Sequence, residues 1–178
     1  INGTQWTGLG VTRINICFDV DYNGTDLWVA TGYISNTLAY STNGTQWTGL
    51  GNIMFNSNGR RISYGNGLWI ATGGGTDNTI AYSTNGTQWT GLGTTIFTSY
   101  GNKPVFNTDL GFWIGSGVGT NTLAYSSNGT QWTGLGTTTF SSNGLSISAG
   151  SFQLQTGNYS IAYSTNATQW TDISSLGL

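Results

Sequence analysis

Short apolar runs separated by glycine, asparagine and serine recur along the whole chain. Residues 60–93 are typical, because RRISYGNG is followed by LWIATGGG, NTIAYST, NG and TQWTGLG. The runs are short and rich in β-branched and aromatic side chains, a composition typical of β-strands. None of them shows the 3.6-residue period of an amphipathic helix. The pattern therefore predicts an all-β protein.

One phrase recurs at nearly regular intervals. NGTQWT begins at residues 2, 43, 85 and 128, and the variant NATQWT begins at residue 166. Four strands in about 42 residues is the expected spacing of one β-propeller blade. We predict a single propeller domain, residues 1–178, with about four four-stranded antiparallel blades at 11–51, 52–93, 94–136 and 137–178 and an extra outer strand at 1–10. A β-solenoid and two stacked sandwiches are the alternatives, and a tight hairpin in every repeat argues against the solenoid.

The Asn-Gly pair inside the phrase predicts a two-residue hairpin loop. A type I′ turn needs positive φ at both loop positions, which favours Asn-Gly. With Asn43 and Gly44 in the loop, Tyr40 faces Trp47 across the hairpin. Ala167 replaces the glycine in the last copy, and alanine at positive φ costs about 1 kcal/mol, so we expect Ala167→Gly to be stabilising. The predicted turns are Asn43-Gly44, Asn85-Gly86, Asn128-Gly129 and Asn166-Ala167.

Aromatic residues recur at matching places in the repeat. Either the phrase tryptophans pack between blades against the hairpin tyrosines, or they form platforms for sugars beside polar neighbours. The first interpretation is favoured. A second series, Trp28, Trp69 and Trp113, is replaced by Gln153 in the last repeat. The phrase tryptophans and hairpin tyrosines are Trp6, Trp47, Trp89, Trp132, Trp170, Tyr40, Tyr82, Tyr125 and Tyr163.

The segment IAYSTNGTQWT resembles the Asp-box or BNR-type motif of sialidase-like β-propellers, S-x-D-x-G-x-x-W. It resembles more closely the propeller repeats of uncharacterised bacterial, phage and large-virus surface proteins. The matching residues are Ser41, Asn43, Gly44 and Trp47 with their equivalents, although asparagine replaces aspartate and the glycine comes one residue early. The resemblance implies a propeller, and it implies no single activity because propellers are scaffolds for many functions.

The chain has few residues suited to catalysis. By the resemblance, a sialidase-like hydrolase would need an arginine cluster, a Tyr–Glu pair and an aspartate. Glutamate and histidine are absent, so general acid–base chemistry lacks its usual groups. Adjacent Arg60 and Arg61 are expected on opposite faces of a strand, and Asp19 and Asp21 in a solvated loop or a weak cation site. We predict no enzyme, no catalytic residue, no metal and no cofactor, with the lone Cys17 as a small buried hydrophobe.

The low charge of the chain limits the kinds of partner that it is expected to bind. A net charge of −2 with 6% charged residues argues against nucleic-acid binding, and no run approaches the roughly 20 apolar residues of a membrane span. Near-identical, weakly charged repeats suit a protein outside a cell or on a virion or cell surface. We predict a structural or adhesive repeat module. A glycan-binding, lectin-like propeller is the alternative, and a sialidase-like hydrolase fragment is a distant one.

Two further features are open expectations. Residues 1–10 are expected to complete a blade of a neighbouring subunit, giving self-association, or to be the cut end of a longer array. Several asparagines head N-x-[ST] sequons and are candidate glycosylation sites if the protein enters a secretory route. These asparagines are Asn2, Asn23, Asn43, Asn85, Asn128, Asn158 and Asn166.

Overall fold

The computed structural model describes residues 8, 14–148, 150, 153–157 and 160–173. In this part of the chain all regular structure is β, as predicted, and successive groups of four strands form antiparallel meanders. The first meander contains β1 (Ile16–Tyr22), β2 (Trp28–Tyr33), β3 (Leu38–Ser41) and β4 (Thr48–Gly49). The second contains β5 (Asn58–Gly65), β6 (Leu68–Gly74), β7 (Ile80–Ser83) and β8 (Thr90–Gly91). The third contains β9 (Tyr100–Asn107), β10 (Phe112–Val118), β11 (Leu123–Ser126) and β12 (Thr133–Gly134). The fourth contains β13 (Gly144–Ser148), β14 (Gln153–Gly157), β15 (Ser160–Ser164) and β16 (Thr171–Asp172).

Neighbouring meanders are joined by single bridges. Tyr33 pairs with Asn58, Gly74 pairs with Tyr100, and Val118 pairs with Asn143. Among the described residues, no strand pairing links the fourth meander back to the first, so these strands form an open row. The number of blades and the predicted blade limits therefore remain predictions.

The hydrophobic cores lie between the meanders rather than within them. We call these contacts the first, second and third junctions, in chain order. At the first junction, Val29 and Leu38 of the first meander pack with Phe55, Ile62 and Trp69 of the second. The other two junctions repeat this arrangement. Ile70, Ile80, Phe97, Trp113 and Ala124 form the second core, and Ile114, Leu123, Phe140, Ile147, Ala162 and Ala167 form the third.

The phrase does not form the predicted two-residue hairpin. Tyr40 pairs with Thr48 and Ala39 with Gly49, so residues 42–47 connect β3 to β4. Gly44 has a φ of 74°, but Asn43 is not among the described residues with positive φ. The type I′ prediction and the pairing of Tyr40 with Trp47 are therefore wrong. Ala167 has a φ of 64°, so the expected positive φ at this residue is confirmed.

No described residue belongs to a helix long and apolar enough to cross a bilayer.

Candidate functional site

The repeated phrase folds into a turn held by its own side chains. We call residues 41–47 and their equivalents, 83–89, 126–132 and 164–170, the phrase turns. In the first, the Ser41 hydroxyl accepts hydrogen bonds from the backbone N–H groups of Asn43 and Gly44 at 3.3 and 2.9 Å. Asn43 Oδ1 then accepts from the backbone N–H groups of Thr45 and Gln46 at 3.0 and 2.8 Å. Asparagine is used here for its side-chain oxygen, which explains why it needs no positive φ.

The other three phrase turns have the same hydrogen bonds. Ser164 Oγ, for example, accepts from the N–H of Ala167 at 3.0 Å, and Asn166 Oδ1 accepts from the N–H of Gln169 at 2.9 Å. The turn geometry is therefore kept even where alanine replaces glycine. The corresponding acceptors in the second and third turns are Ser83, Asn85, Ser126 and Asn128.

Each phrase tryptophan closes its own turn. The Trp47 indole N–H donates to the carbonyl oxygen of Gly44 at 3.2 Å, and Trp89, Trp132 and Trp170 donate to the equivalent carbonyls at 2.9 to 3.1 Å. These four rings are half-buried. Those of Trp89, Trp132 and Trp170 pack against the first, second and third junction cores. They are less buried than predicted, and Trp6 lies outside the described residues.

The second tryptophan series is buried more deeply. Trp69 and Trp113 are each 1% exposed, whereas Trp28 is 36% exposed. Their rings meet aromatic neighbours on the first strand of the same meander, with centroids 4.8 Å apart for Trp69 and Tyr64. The junction cores thus rely on this series more than on the phrase tryptophans.

The structure shows a second repeated motif that the sequence analysis missed. The N–H and hydroxyl of Thr37 both donate to the carbonyl oxygen of Gly51, while Asn36 Oδ1 accepts from the Gly51 N–H at 2.7 Å. The pattern was visible in the sequence as Asn-Thr before the first three of the four Leu/Ile-Ala-Tyr-Ser segments. It fixes the end of the phrase against the start of the third strand. The equivalent residues are Asn78, Thr79, Gly93, Asn121, Thr122 and Gly136.

Asp19 and Asp21 lie on β1 and not in the predicted loop. Asp21 Oδ2 accepts from the backbone N–H of Tyr64 at 2.7 Å, and Asp19 Oδ2 accepts from that of Ile62 at 3.2 Å. Lys103 also forms an ion pair with Asp19 at 3.1 Å. Both carboxylates therefore satisfy amides at the edge of β5. Each carboxylate joins β1 to β5, and the two do not face each other across a cleft.

Of the two adjacent arginines, Arg60 contacts side chains of β9. A bulge at Arg60 shifts the register between Gly59 and Arg61, which interrupts the strict alternation assumed for these residues. Arg60 Nε donates to Asn102 Oδ1 at 3.1 Å, and its guanidinium lies 4.1 Å from the ring centroid of Tyr100. Across the described part of the chain, no group of three or more His, Cys, Asp or Glu side chains could hold a metal.

Two titratable groups on the first meander have shifted pKa values. Partial burial of the sulfur raises the pKa of the Cys17 thiol, although the residue as a whole is exposed, contrary to prediction. Hydrogen bonds from Asn23 and Thr25 lower the pKa of Asp26, which is fully exposed. Low thiolate content at neutral pH makes Cys17 a weak nucleophile.

The sequon asparagines occupy two kinds of turn. Asn43, Asn85, Asn128 and Asn166 are exposed in the phrase turns. Asn23 is half-buried, and its oxygen accepts from three successive backbone amides between β1 and β2. Glycosylation of these residues stays a prediction, and Asn2 and Asn158 lie outside the described residues.

A shallow cavity opens between the first and second meanders. It has a volume of about 160 Å³. Ile53, at 77% exposure, is an exposed apolar side chain in its wall. The lining residues are Leu38, Leu50, Gly51, Ile53, Met54, Thr87 and Trp89.

Comparison with known proteins reveals the fold but no family. No family model matches the chain, and no curated protein matches it. A chain of a nidogen/laminin complex is similar, with 12% identity, a TM-score of 0.67 and coverage of 88% of this chain and 64% of that one. A streptogramin B lyase has 12% identity, a TM-score of 0.72 and coverage of 88% and 53%. YCF48 from Cyanidioschyzon merolae has 16% identity, a TM-score of 0.58 and coverage of 88% and 55%.

These neighbours are β-propeller-like proteins. The chain has a propeller-like fold. It spans only about half to two thirds of the length of these propeller chains. The solved neighbours include a lyase and a GH74 enzyme as well as the nidogen/laminin complex, and at 9–20% identity the likeness concerns the fold alone.

Proposed function

We propose that this propeller-like chain is a non-enzymatic structural or adhesive module on the outside of a cell or virion. The observation that carries the proposal is how the phrase turns use their polar atoms. In each of the four phrase turns, the serine hydroxyl, the asparagine oxygen and the tryptophan N–H bind backbone groups of the same turn. The repeated serine, asparagine and tryptophan therefore serve the scaffold, because these polar atoms are already bonded within the turn.

The charged residues support a non-enzymatic role. Asp19 and Asp21 accept hydrogen bonds from the next meander, and Asp19 is also paired with Lys103. A glycosidase needs two carboxyl groups flanking a substrate bond, one of them free to donate a proton. Carboxylates that hold strand edges are poorly suited to that task. The net charge of −2 also allows copies to pack closely with little repulsion.

The phrase turns are also proposed to be Asp-box-type turns in which asparagine takes the place of aspartate. Asn43 Oδ1 acts as an acceptor for two backbone amides and for the Thr45 hydroxyl. A carboxylate oxygen could accept the same bonds. Residues 1–10, the predicted extra strand, lie outside the described residues apart from Gly8. They are still proposed to mediate self-association, and deletion of these residues followed by light scattering tests that role.

Glycan binding is the alternative function, and the cavity beside Trp89 is the observation that favours it. A glycan array probed with the intact chain distinguishes the two functions, and Ile53→Asp places a charge in the cavity wall. The structural proposal expects no glycan signal from either protein. A glycan signal that Ile53→Asp abolishes, without a change in thermal midpoint, would establish the alternative.

A further inference from the structure

The first meander has an apolar face that the other meanders bury. Val20 lies opposite Ala30 in the sheet, as Ile62 lies opposite Ala71 in the second meander. Val20 is nevertheless 45% exposed, whereas Ile62 is fully buried. In the fourth meander Ile147 stands at this register position and is 6% exposed. The same strand position is thus covered in the second and fourth meanders and open in the first.

Trp28 shows the same difference. It pairs with Ser41, as Trp69 pairs with Ser83, but it is 36% exposed where Trp69 is 1% exposed. Trp69 belongs to the first junction core together with Leu27 and Val29 of the preceding meander. Trp28 has no preceding meander among the described residues. The open face of the first meander, Val20 and Trp28, is therefore one half of a junction.

The other half of a junction lies at the opposite end of the row. Ile161 pairs with Thr156, and Leu38 pairs with Thr31 at the equivalent position of the first meander. Leu38, Ile80 and Leu123 are each 1% exposed because the next meander covers them. Ile161 is only half-buried. The fourth meander thus presents the apolar side that, at each internal junction, faces the following meander.

We propose that a second copy of this chain binds head to tail, with its fourth meander seated on the open face of the first meander. The contact would reproduce the junction that the chain already forms three times. The two surfaces should therefore match in shape and in apolar character, as the surfaces of the three internal junctions do. A head-to-tail contact of this kind closes into a ring or continues as a filament, depending on the rotation between copies. The inference does not depend on whether the module binds glycans.

Sedimentation velocity over a concentration series tests this contact. The intact chain should shift from 18.8 kDa to twice that mass or a higher multiple as concentration rises. Val20→Asp and Ile161→Asp should each remain at the mass of one chain. Val20→Ile should retain association, because isoleucine is present at this position in Ile62 and Ile147. Gln88→Asp adds the same charge at an exposed site in the middle of the row and should associate like the intact chain.

A mixing experiment identifies the head-to-tail geometry. Val20→Asp keeps an intact fourth-meander face and Ile161→Asp keeps an intact first-meander face, so an equimolar mixture should form a pair although neither variant associates alone. A mixture that stays at the mass of one chain overturns the proposal. It is equally overturned if the intact chain shows no association, or if Val20→Asp loses its fold, since Val20 would then be covered within its own chain.

Discussion

The third and fourth meanders build the same turn from different residues. In the third, Gly129 has a φ of 75°, and a Cβ at this residue would clash with Leu68 Cδ2 and lie 3.1 Å from Trp113 Nε1. In the fourth, Ala167 has a φ of 64° and is fully buried in the third junction core. Gln153 stands at the register position of Trp113 there. The comparison teaches that the turn glycine is needed for space as well as for its backbone angle.

Trp113→Ala should have the largest effect among the variants that test this comparison. Trp113 is 1% exposed in the second junction core, and removing such a side chain costs about 3–5 kcal/mol of unfolding free energy. Urea unfolding followed by circular dichroism measures the loss. Trp89→Ala, at a half-buried phrase position, should cost clearly less. Equal costs would contradict the conclusion that the second tryptophan series forms the core.

Gly129→Ala should be the next most damaging change. Alanine at positive φ costs about 1 kcal/mol, and overpacking against Leu68 adds about 1–3 kcal/mol. The cost should shrink when Trp113→Gln is present, because that pair of residues reproduces the fourth meander. A double-mutant cycle of unfolding free energies measures the coupling. Strict additivity would show that the Trp113 side chain takes no part in the requirement for glycine.

Asn128→Ala should lower the unfolding free energy by about 1–2 kcal/mol, because the backbone amides of Thr130 and Gln131 lose their acceptor. Asn128→Asp should cost less, since a carboxylate oxygen can accept the same bonds. Asn166→Ala in the fourth meander should cost as much as Asn128→Ala. Thermal melts of the four proteins, including the parent, compare these values. An Asn128→Asp variant as unstable as Asn128→Ala would argue against an Asp-box-type turn.

Ala167→Gly should have the smallest effect. Relief of positive φ gains about 1 kcal/mol, while loss of the buried methyl group costs about 0.8 kcal/mol. The structure therefore lowers the stabilisation that the sequence suggested to nearly zero. Differential scanning calorimetry measures the shift in melting temperature. A gain of several degrees would mean that the methyl group packs poorly.

The strand pattern could be predicted from sequence because alternation and glycine spacing are local properties. The phrase turn could not, because Asn-Gly suits two different roles. Asparagine can adopt positive φ, as the type I′ prediction assumed, or it can accept backbone hydrogen bonds, as Asn43 does. The serine two residues earlier and the tryptophan four residues later were the signal for the second role. Their resemblance to the Asp box already pointed to these residues.

Burial was harder to predict than strand position. Trp69 and Trp89 both lie among β-type residues, and only the packing of neighbouring meanders makes the first fully buried and the second half-buried. The roles of Asp19 and Asp21 depend on amides of β5, more than 40 residues away in the chain. No local pattern reports such contacts. Cys17 is exposed for a related reason. In the described part of the chain, no other meander packs against the side of β1 on which Cys17 lies.

Because each described core lies between two meanders, the packing also determines the order in which the meanders should unfold. A meander in the middle of the row shares two cores, while each end meander shares one among the described residues. Stability then behaves as a chain of nearest-neighbour couplings, in which loss of one unit weakens only the unit beside it. Amide hydrogens of β6 and β10 should exchange with solvent most slowly, and those of β1 and β16 fastest. Unfolding should proceed inward from the ends through partly folded states.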